Sequence, residues 1–357
     1  MYSSILITGG CGFVGSNLAL MLKEKYPGIN IIVMDNLMRR GSELNIAPLA
    51  KAGIIFIHGD VRNKEDFEKT GKHDLIIDAS AEPSVMAGIC GGVDYLINTN
   101  FNGTINCLNF AVRNQSDFIF LSTSRVYCIE ELDKITLKEC ETRFEIDPSN
   151  QINGLSAKGI SEDFRTSGSK SFYGASKFCS ENFIEEYASY FGLKAIINRC
   201  GVIAGPRQFG KTDQGFMALW VAKHFWKEKL AYIGYGGKGK QVRDVMHIED
   251  VFDLIDYQIN HFDKNHGKIF NAGGGLENSI SLIELTALCN EITGNKIQVD
   301  RIPETRKADI RLYISDNSRV TGETGWTPKK SVKDTAADIY NWLRKDESIV
   351  KSIFSNN

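Results

Sequence analysis

Up to about Val202 the chain alternates short, almost wholly apolar runs with longer amphipathic stretches. The apolar runs are Ser4–Thr8, Ile31–Asp35, Ile54–His58, Leu75–Asp78, Phe118–Ser122 and Ala195–Arg199. Helical periodicity marks Asn17–Lys25, Asp94–Arg113 and Ser176–Phe191. Strands this apolar need cover on both faces, so the pattern predicts a doubly wound parallel sheet between helical layers. The segment Glu130–Lys170, rich in charge, Ser and Gly, interrupts the rhythm. It is too long for a plain connection and is expected to be an insertion near the functional site or a mobile lid. Beyond Gly205, Gly236–Gly237 and Gly273–Gly275 punctuate shorter elements, with helical stretches at Gln214–Lys227, Ile248–Asn260 and Ser281–Thr293. The expected organisation is α/β. Residues 1–204 form the sheet domain, with 130–170 as its insertion, and 205–357 form a smaller C-terminal α/β substrate lobe. That lobe is expected to be built against the strand ends, with some exchange of chain between the two.

The first strand runs into Gly9-Gly10-Cys11-Gly12-Phe13-Val14-Gly15 and then an amphipathic helix. Gly9 and Gly12 suit a tight turn and a close approach of backbone to a pyrophosphate, and Gly15 lets helix and strand pack closely. The helix start offers free N–H groups and the positive end of its dipole to that anion. This makes the sheet Rossmann-type. Asp35 ends the second strand twenty positions after Gly15 and is placed to accept hydrogen bonds from the adenosine ribose. Its charge repels a 2′-phosphate, which favours NAD over NADP; Arg39 and Arg40, close behind, pull the other way. Asn36 follows Asp35 directly. Asp60-Val61, after the third strand, is positioned for the adenine edge, and Ala79-Ser80-Ala81 is small enough to let a dinucleotide cross the strand ends.

Composition and charge narrow the classes. An apolar share of 42% supports a substantial core. A formal net charge of −2 advertises neither nucleic acid nor an anionic membrane. No stretch of about 18 apolar residues appears, nor a basic segment leading into an apolar one, so a cytoplasmic protein is expected. The eight cysteines form no C-x-x-C pair, which points to free thiols in a reducing compartment, and no metal site is expected.

Tyr173-Gly174-Ala175-Ser176-Lys177 places a phenol and an ammonium one helical turn apart on a shared face. A free Tyr, with a pKa of about 10, is a poor base. A nearby Lys and a positive nicotinamide ring favour phenolate and fit it for alcohol–ketone chemistry. Tyr190 and Lys194 match the same spacing, but Gly192 should break the helix between them, at the end away from the strand carboxyl ends where ligands bind. Tyr190 is therefore read as a packing residue. Thr123, at the end of the fifth strand, can donate a hydrogen bond to a substrate oxygen.

With these features together, the chain resembles the extended short-chain dehydrogenase/reductase family of nucleotide-sugar epimerases and dehydratases, from Gly9 to Trp326-Thr327-Pro328. The resemblance implies a catalytic set of Tyr173, Lys177, Thr123 and its neighbour Ser124. It implies cofactor contacts from Gly9, Gly12, Phe13, Val14, Gly15, Asp35, Asn36, Asp60, Val61, Ala79, Ser80, Ala81 and Asn100, with NAD bound. Arg243 and Arg306 match arginines that hold a sugar-nucleotide diphosphate, a task suited to the guanidinium fork. A homo-oligomer, dimer or tetramer, is usual in the family.

Two departures narrow this. Ser124 and Arg125 stand where the 4,6-dehydratases carry an Asp-Glu pair, so elimination lacks its acid and base. Val202 stands where many 4-epimerases have an Asn on the nucleotide diphosphate. The stretches Ser122–Tyr127, Gly159–Phe164 and Arg199–Phe216 are similar to the CDP-paratose/CDP-tyvelose 2-epimerase subgroup. By that likeness Arg199, Val202, Gln208, Lys211 and Asp213 are expected to meet a CDP-sugar, with loop-structural roles open for the last three. The expected reaction is oxidation at C2 with hydride return. A UDP- or NDP-hexose 4-epimerase and a non-catalytic NAD-binding regulator remain the alternatives.

Overall fold

Every apolar run of the first part becomes a strand: β1 Ser4–Thr8, β2 Asn30–Asp35, β3 Ile55–His58, β4 Leu75–Asp78, β5 Asp117–Thr123 and β6 Ala195–Cys200. A seventh strand, β7 Lys268–Ala272, was not expected, because only five residues carry it and no flanking periodicity marks it. The computed structural model describes residues 2–89, 92–211 and 214–354. The sheet order is β7-β6-β5-β4-β1-β2-β3, and the pairings β1–β2, β1–β4, β2–β3 and β4–β5 are parallel. Between β1 and β4 the winding reverses. The crevice at the carboxyl ends of such a reversal is where open α/β sheets bind ligands.

The helices start earlier than periodicity alone suggests. α1, Phe13–Lys25, begins at the glycine turn with Gly12 as N-cap and no side-chain cap. A short helix, Val93–Ile97, runs through a π-turn, Asn98–Asn102, into α2, Gly103–Asn114. α3 spans Phe172–Phe191, so Tyr173 stands in its first turn. Gly192, at φ +68°, ends it as expected. Tyr190 does not pack: it is 78% exposed, and Phe191 is turned instead against Tyr187, ring centroids 5.3 Å apart. Leu6, Ile76, Phe118 and Phe120 of the sheet share one buried cluster with Leu108 and Ala111 of α2 and Ile184 of α3.

The chain divides into two units. The first runs to Val126 and adds Phe172–Arg199 and Phe252–Phe270; the second takes Tyr127–Ser171, Cys200–Val251 and the chain from Asn271 onward. The path thus changes unit at 126, 171, 199, 251 and 270, an exchange of chain that includes the whole of residues 127–171. In the second unit Val242–His247 pairs in parallel with Val202–Ala204 and Leu312–Tyr313, and antiparallel with Ser279–Ser281. Residues 127–171 carry two small hairpins, Leu137–Glu139 with Phe144–Ile146 and Leu155–Ser156 with Gly159–Ile160. They are tied down by backbone bonds from Phe144 N–H to the Lys240 carbonyl and from Ile160 N–H to the Ile314 carbonyl. The segment is therefore built into the fabric of its unit.

Cys11, Cys107, Cys128, Cys140, Cys179, Cys200 and Cys289 are free thiols; Cys90 lies outside the described residues. No helix among the described residues is long and apolar enough to cross a membrane.

The β1–α1 turn depends on bare backbone. A Cβ on Gly15 would lie 2.3 Å from the Gly9 carbonyl oxygen, whereas one on Gly28 would meet nothing within 4 Å. Gly15→Ala should therefore cost about 1–3 kcal/mol, and Gly28→Ala should stay within about 0.5 kcal/mol of the parent. Urea unfolding of the two variants is the check.

Candidate active site

The glycine turn is shaped for an anion. Gly12 N–H donates to the Gly9 carbonyl at 3.0 Å, which closes the turn and leaves the first N–H groups of α1, from Phe13, Val14 and Gly15, without a side-chain cap. Gly9, at φ +63°, passes so close to the next loop that a Cβ would sit 2.8 Å from the Ala79 carbonyl oxygen. Asp35 braces the turn from β2. Its Oδ2 accepts from Cys11 N–H at 3.0 Å and its Oδ1 from Leu37 N–H at 2.8 Å. Gly12 N–H is a third backbone donor to this carboxylate, which still leaves acceptor capacity for a ribose hydroxyl. Burial pushes the Asp35 carboxyl up, against the pull of those backbone donors. The same burial, with Asp35 beside it, pushes the Cys11 thiol up to about 12, so this cysteine is no nucleophile. An uncapped helix start, a Cβ-free cradle and a carboxylate with spare acceptors fit a dinucleotide.

Asp60 is more committed than its place in the sequence suggests. Arg62 grips both its oxygens, Nε to Oδ1 at 2.9 Å and Nη2 to Oδ2 at 2.6 Å, and Asn36 Nδ2 adds a bond at 2.9 Å. Arg62 also lies over the Tyr95 ring, 4.9 Å from its centroid. Asn36 is thus a brace for Asp60, and Val61 is buried beside it. Ser80 is pinned through Asp78, donating to Oδ1 from its N–H at 3.1 Å and its hydroxyl at 2.6 Å. Ala79 and Ala81 flank it.

Thr123, Tyr173 and Lys177 all belong to the first unit. Thr123 Oγ1 accepts from Arg125 N–H at 3.2 Å and donates to no acceptor among the described residues, so its proton is available. Ser124 opens a short turn after β5 and is only half-buried. Gly174 lets α3 press onto that turn, since a Cβ there would stand 2.1 Å from the Arg125 carbonyl oxygen. Lys177 is 1% exposed, with Nζ 4.0 Å from the centroid of the Phe120 ring. Tyr173 is half-buried one turn above.

Asn100 sits in the π-turn and is fully buried. Its Oδ1 accepts from Glu82 N–H at 2.7 Å, and its Nδ2 donates to the Glu82 carbonyl at 3.0 Å and to Ser176 Oγ at 3.2 Å. Ser176 in turn donates to the Tyr173 carbonyl at 2.9 Å. Asn100 therefore fastens the loop after β4 to the start of α3. π-turns inside helices recur at functional sites.

Arg199 departs from expectation. It is buried within the first unit and pairs with Glu181, Nη2 to Oε2 at 2.7 Å and Nε to both oxygens at 3.1 Å. A guanidinium committed in this way is a structural partner, not an open grip for substrate. Sequence reasoning missed Glu181, which lies one turn beyond Lys177 on the same stripe of α3.

The remaining candidates lie in the second unit. Gln208 donates to the Ile203 carbonyl at 2.9 Å, while its buried Oε1 has no partner among the described residues. Val202 opens the strand that Gln208 closes over. Lys211 exchanges backbone bonds with Gln214; Asp213 lies outside the described residues. Arg243 is held by Asp309 at 2.9 Å and by the Ile310 and Val242 carbonyls at 2.7 and 2.8 Å. Its Nε–H and one Nη1–H have no partner among the described residues. Arg306 is half-buried in the loop that carries Asp309.

The group His247, Glu249 and Asp338 has metal-like spacing. Lys330 already bridges its two carboxylates at 3.2 and 3.1 Å, and His247 Nδ1 accepts from Glu249 N–H at 3.1 Å. An ammonium between the carboxylates and that imidazole tautomer both disfavour a cation.

Residues 5–273 match the NAD dependent epimerase/dehydratase family. The chain belongs to that family. It is an NAD-dependent enzyme of the epimerase class. Among curated relatives, the CDP-paratose 2-epimerase of Salmonella typhi is 34% identical over 95% of this chain and 98% of its own length. A putative UDP-glucose 4-epimerase of Methanocaldococcus jannaschii is 26% identical over 96% and 99%. The UDP-glucose 4-epimerase of Thermotoga maritima, solved with UDP-glucose, superposes with a TM-score of 0.78 at 24% identity, covering 96% of this chain and 99% of that one. At that identity the likeness shows the shared family fold.

The Asp60–Arg62 pair makes a pH test. Burial alone would raise the Asp60 carboxyl, but the bonds from Arg62 and Asn36 outweigh it and hold it at about 2, below the ordinary 3.8. Its contribution to stability is therefore full above pH 3.8 and lost as pH falls through about 2. Arg62→Ala should destabilise the protein at neutral pH, and the difference from the parent should shrink as pH falls across that window. Urea midpoints measured against pH decide it.

Proposed function

We propose that this enzyme epimerises a nucleotide sugar at a secondary alcohol, and that the substrate is a CDP-linked 3,6-dideoxyhexose inverted at C2. Bound NAD would accept a hydride from the carbinol carbon and give it back. The protein's part is proton and charge management. Tyr173 takes the hydroxyl proton, and Lys177 holds the phenol toward its ionised form through its positive charge. Thr123, with Ser124 beside it, supplies the proton that steadies the developing oxyanion. Arg243, with two N–H groups unspent, and Arg306 would hold the diphosphate while the keto-sugar turns.

The observation that carries this reading is the site's inventory. A hydroxyl with an available proton ends β5, a buried lysine stands on α3 one turn from a tyrosine, and Ser124-Arg125 follow where elimination would need two carboxyl groups. Oxidation and re-reduction are equipped; water loss is not. The assignment of C2 and of a CDP-sugar is supported by the 34% identity to the Salmonella typhi enzyme along nearly the whole chain. The second reading, a 4-epimerase using the same residues, is favoured by the Methanocaldococcus jannaschii relative.

Purified protein should carry NAD that is not consumed during turnover. A panel of CDP- and UDP-sugars in deuterated water, followed by NMR, should show inversion at C2 of a CDP-sugar with no deuterium at that carbon. Inversion at C4 of a UDP-sugar would select the second reading, and deuterium at the inverted carbon would exclude hydride return. Tyr173→Phe should lower kcat by about 100- to 10,000-fold while leaving the NAD content unchanged. A non-catalytic binder would show no turnover to lose.

A further inference from the structure

Glu181 is one of the most deeply buried charges in the first unit, and nothing in the proposed chemistry uses it. It lies 1% exposed on α3, eight residues after Tyr173 and four after Lys177, so the three share one stripe of the helix. Its carboxylate is approached from two neighbouring strands. From β6, Arg199 engages both oxygens, its Nη2 2.7 Å from Oε2. From β5, the Ser122 hydroxyl donates to Oε1. Ser122 is the residue immediately before Thr123, and β5 and β6 are adjacent in the sheet.

We infer that Glu181 is a positioning residue for the reaction: through Ser122 and Arg199 it fixes the register of α3 against β5, and so the place of Tyr173 and Lys177 relative to the Thr123 hydroxyl. This rests on the reading of those three as the catalytic set. A helix packed on a sheet by aliphatic side chains can slide or roll by a fraction of an ångström at small cost, because dispersion contacts are non-directional. Charge-assisted hydrogen bonds are short and directional. A bidentate carboxylate–guanidinium pair with a third donor therefore defines one position along the helix axis and one rotation about it.

Two other contacts act together with this one. The backbone approach at Gly174 fixes how near α3 comes to the turn after β5, and Lys177 Nζ against the Phe120 ring fixes the level of the ammonium. The Glu181 node ties the helix to the strand that carries Thr123 through a side-chain bond to the adjacent residue, Ser122. As a stability device the pair has little to recommend it, since buried ion pairs are often matched by apolar replacements. Its geometric role is the stronger account.

Ser122→Ala tests this most gently, because it deletes one hydroxyl and leaves the Glu181–Arg199 pair whole. Measured per NAD-loaded site on the full-length protein, it should lower kcat by about 10- to 100-fold with KM and NAD content unchanged. Glu181→Gln should do the same or more. The double variant should be little worse than Glu181→Gln alone, because both act through one node.

A purely structural Glu181 would lower the folded, NAD-loaded fraction without changing turnover per loaded site, and that result overturns the inference. So does wild-type turnover in Ser122→Ala. Tyr173→Phe, assayed alongside, separates the two layers. If it is inactive while Ser122→Ala is normal, the positioning role alone fails. If it remains active, the catalytic reading fails and the inference falls with it.

Discussion

Asp78 is the knot on which the cofactor end depends. It ends β4 with its side chain fully buried, where an unsatisfied carboxylate would be costly. Four donors meet it: the Thr8 hydroxyl at 2.7 Å from the end of β1, the Ser80 N–H and hydroxyl, and the Thr104 hydroxyl at 3.0 Å from α2. The ends of β1 and β4 are thereby held side by side, and the chain leaving β4 is turned directly under Gly9. The close passage of Gly9 over Ala79 and Ser80 is possible only in that register. A parallel sheet by itself fixes the spacing of the strands; this carboxylate fixes where they stop.

The central strands of the first unit were legible because burial on both faces leaves no room for alternation, and the runs stand out as apolar blocks. β7 was not, since Lys268–Ala272 is short and is recognised only by its place beside β6. Helix starts were misjudged for a related reason. Periodicity begins where apolar residues recur, but α1 and α3 begin on glycine and polar turns whose contribution is backbone geometry. Tyr173, read from its spacing to Lys177 as helical, stands in the first turn of α3, ahead of the apolar periodicity that begins at Ser176.

The candidate site was legible in its residue types and less so in their partners. Gly9, Asp35, Thr123, Tyr173 and Lys177 announce themselves by spacing, because their work needs a fixed distance along the chain. Glu181 and Arg199 are eighteen residues apart, and only folding shows that they neutralise one another. Arg199 taken alone invites assignment to an anionic ligand; a buried carboxylate answers that demand first. Asn100 is similar: its amide spans from Glu82 to Ser176, a link that no local pattern encodes. The signal available in the sequence was the i, i+4, i+8 series Tyr173, Lys177, Glu181. A charged residue continuing a catalytic stripe into the core needs a partner, and the neighbouring strands are where to look.

On the proposed reading, reaction and recognition are encoded separately in this chain. The groups that would handle protons and the dinucleotide come from the first unit, anchored to one another by Asp78, Asn100 and Glu181. The second unit carries the residues expected to choose the sugar nucleotide, and these are anchored to their own surroundings: Gln208 to Ile203, Arg243 to Asp309 and Ile310. A change in the second set need not disturb the first. One frame can thus serve relatives that invert different carbons of different nucleotide sugars, provided the hydroxyl to be oxidised reaches Thr123 and Tyr173. What cannot be exchanged so freely is the pair after Thr123. Ser124 and Arg125 directly follow Thr123, and if Thr123 works as proposed, replacing them with two carboxyl groups would alter the chemistry, not the choice of substrate.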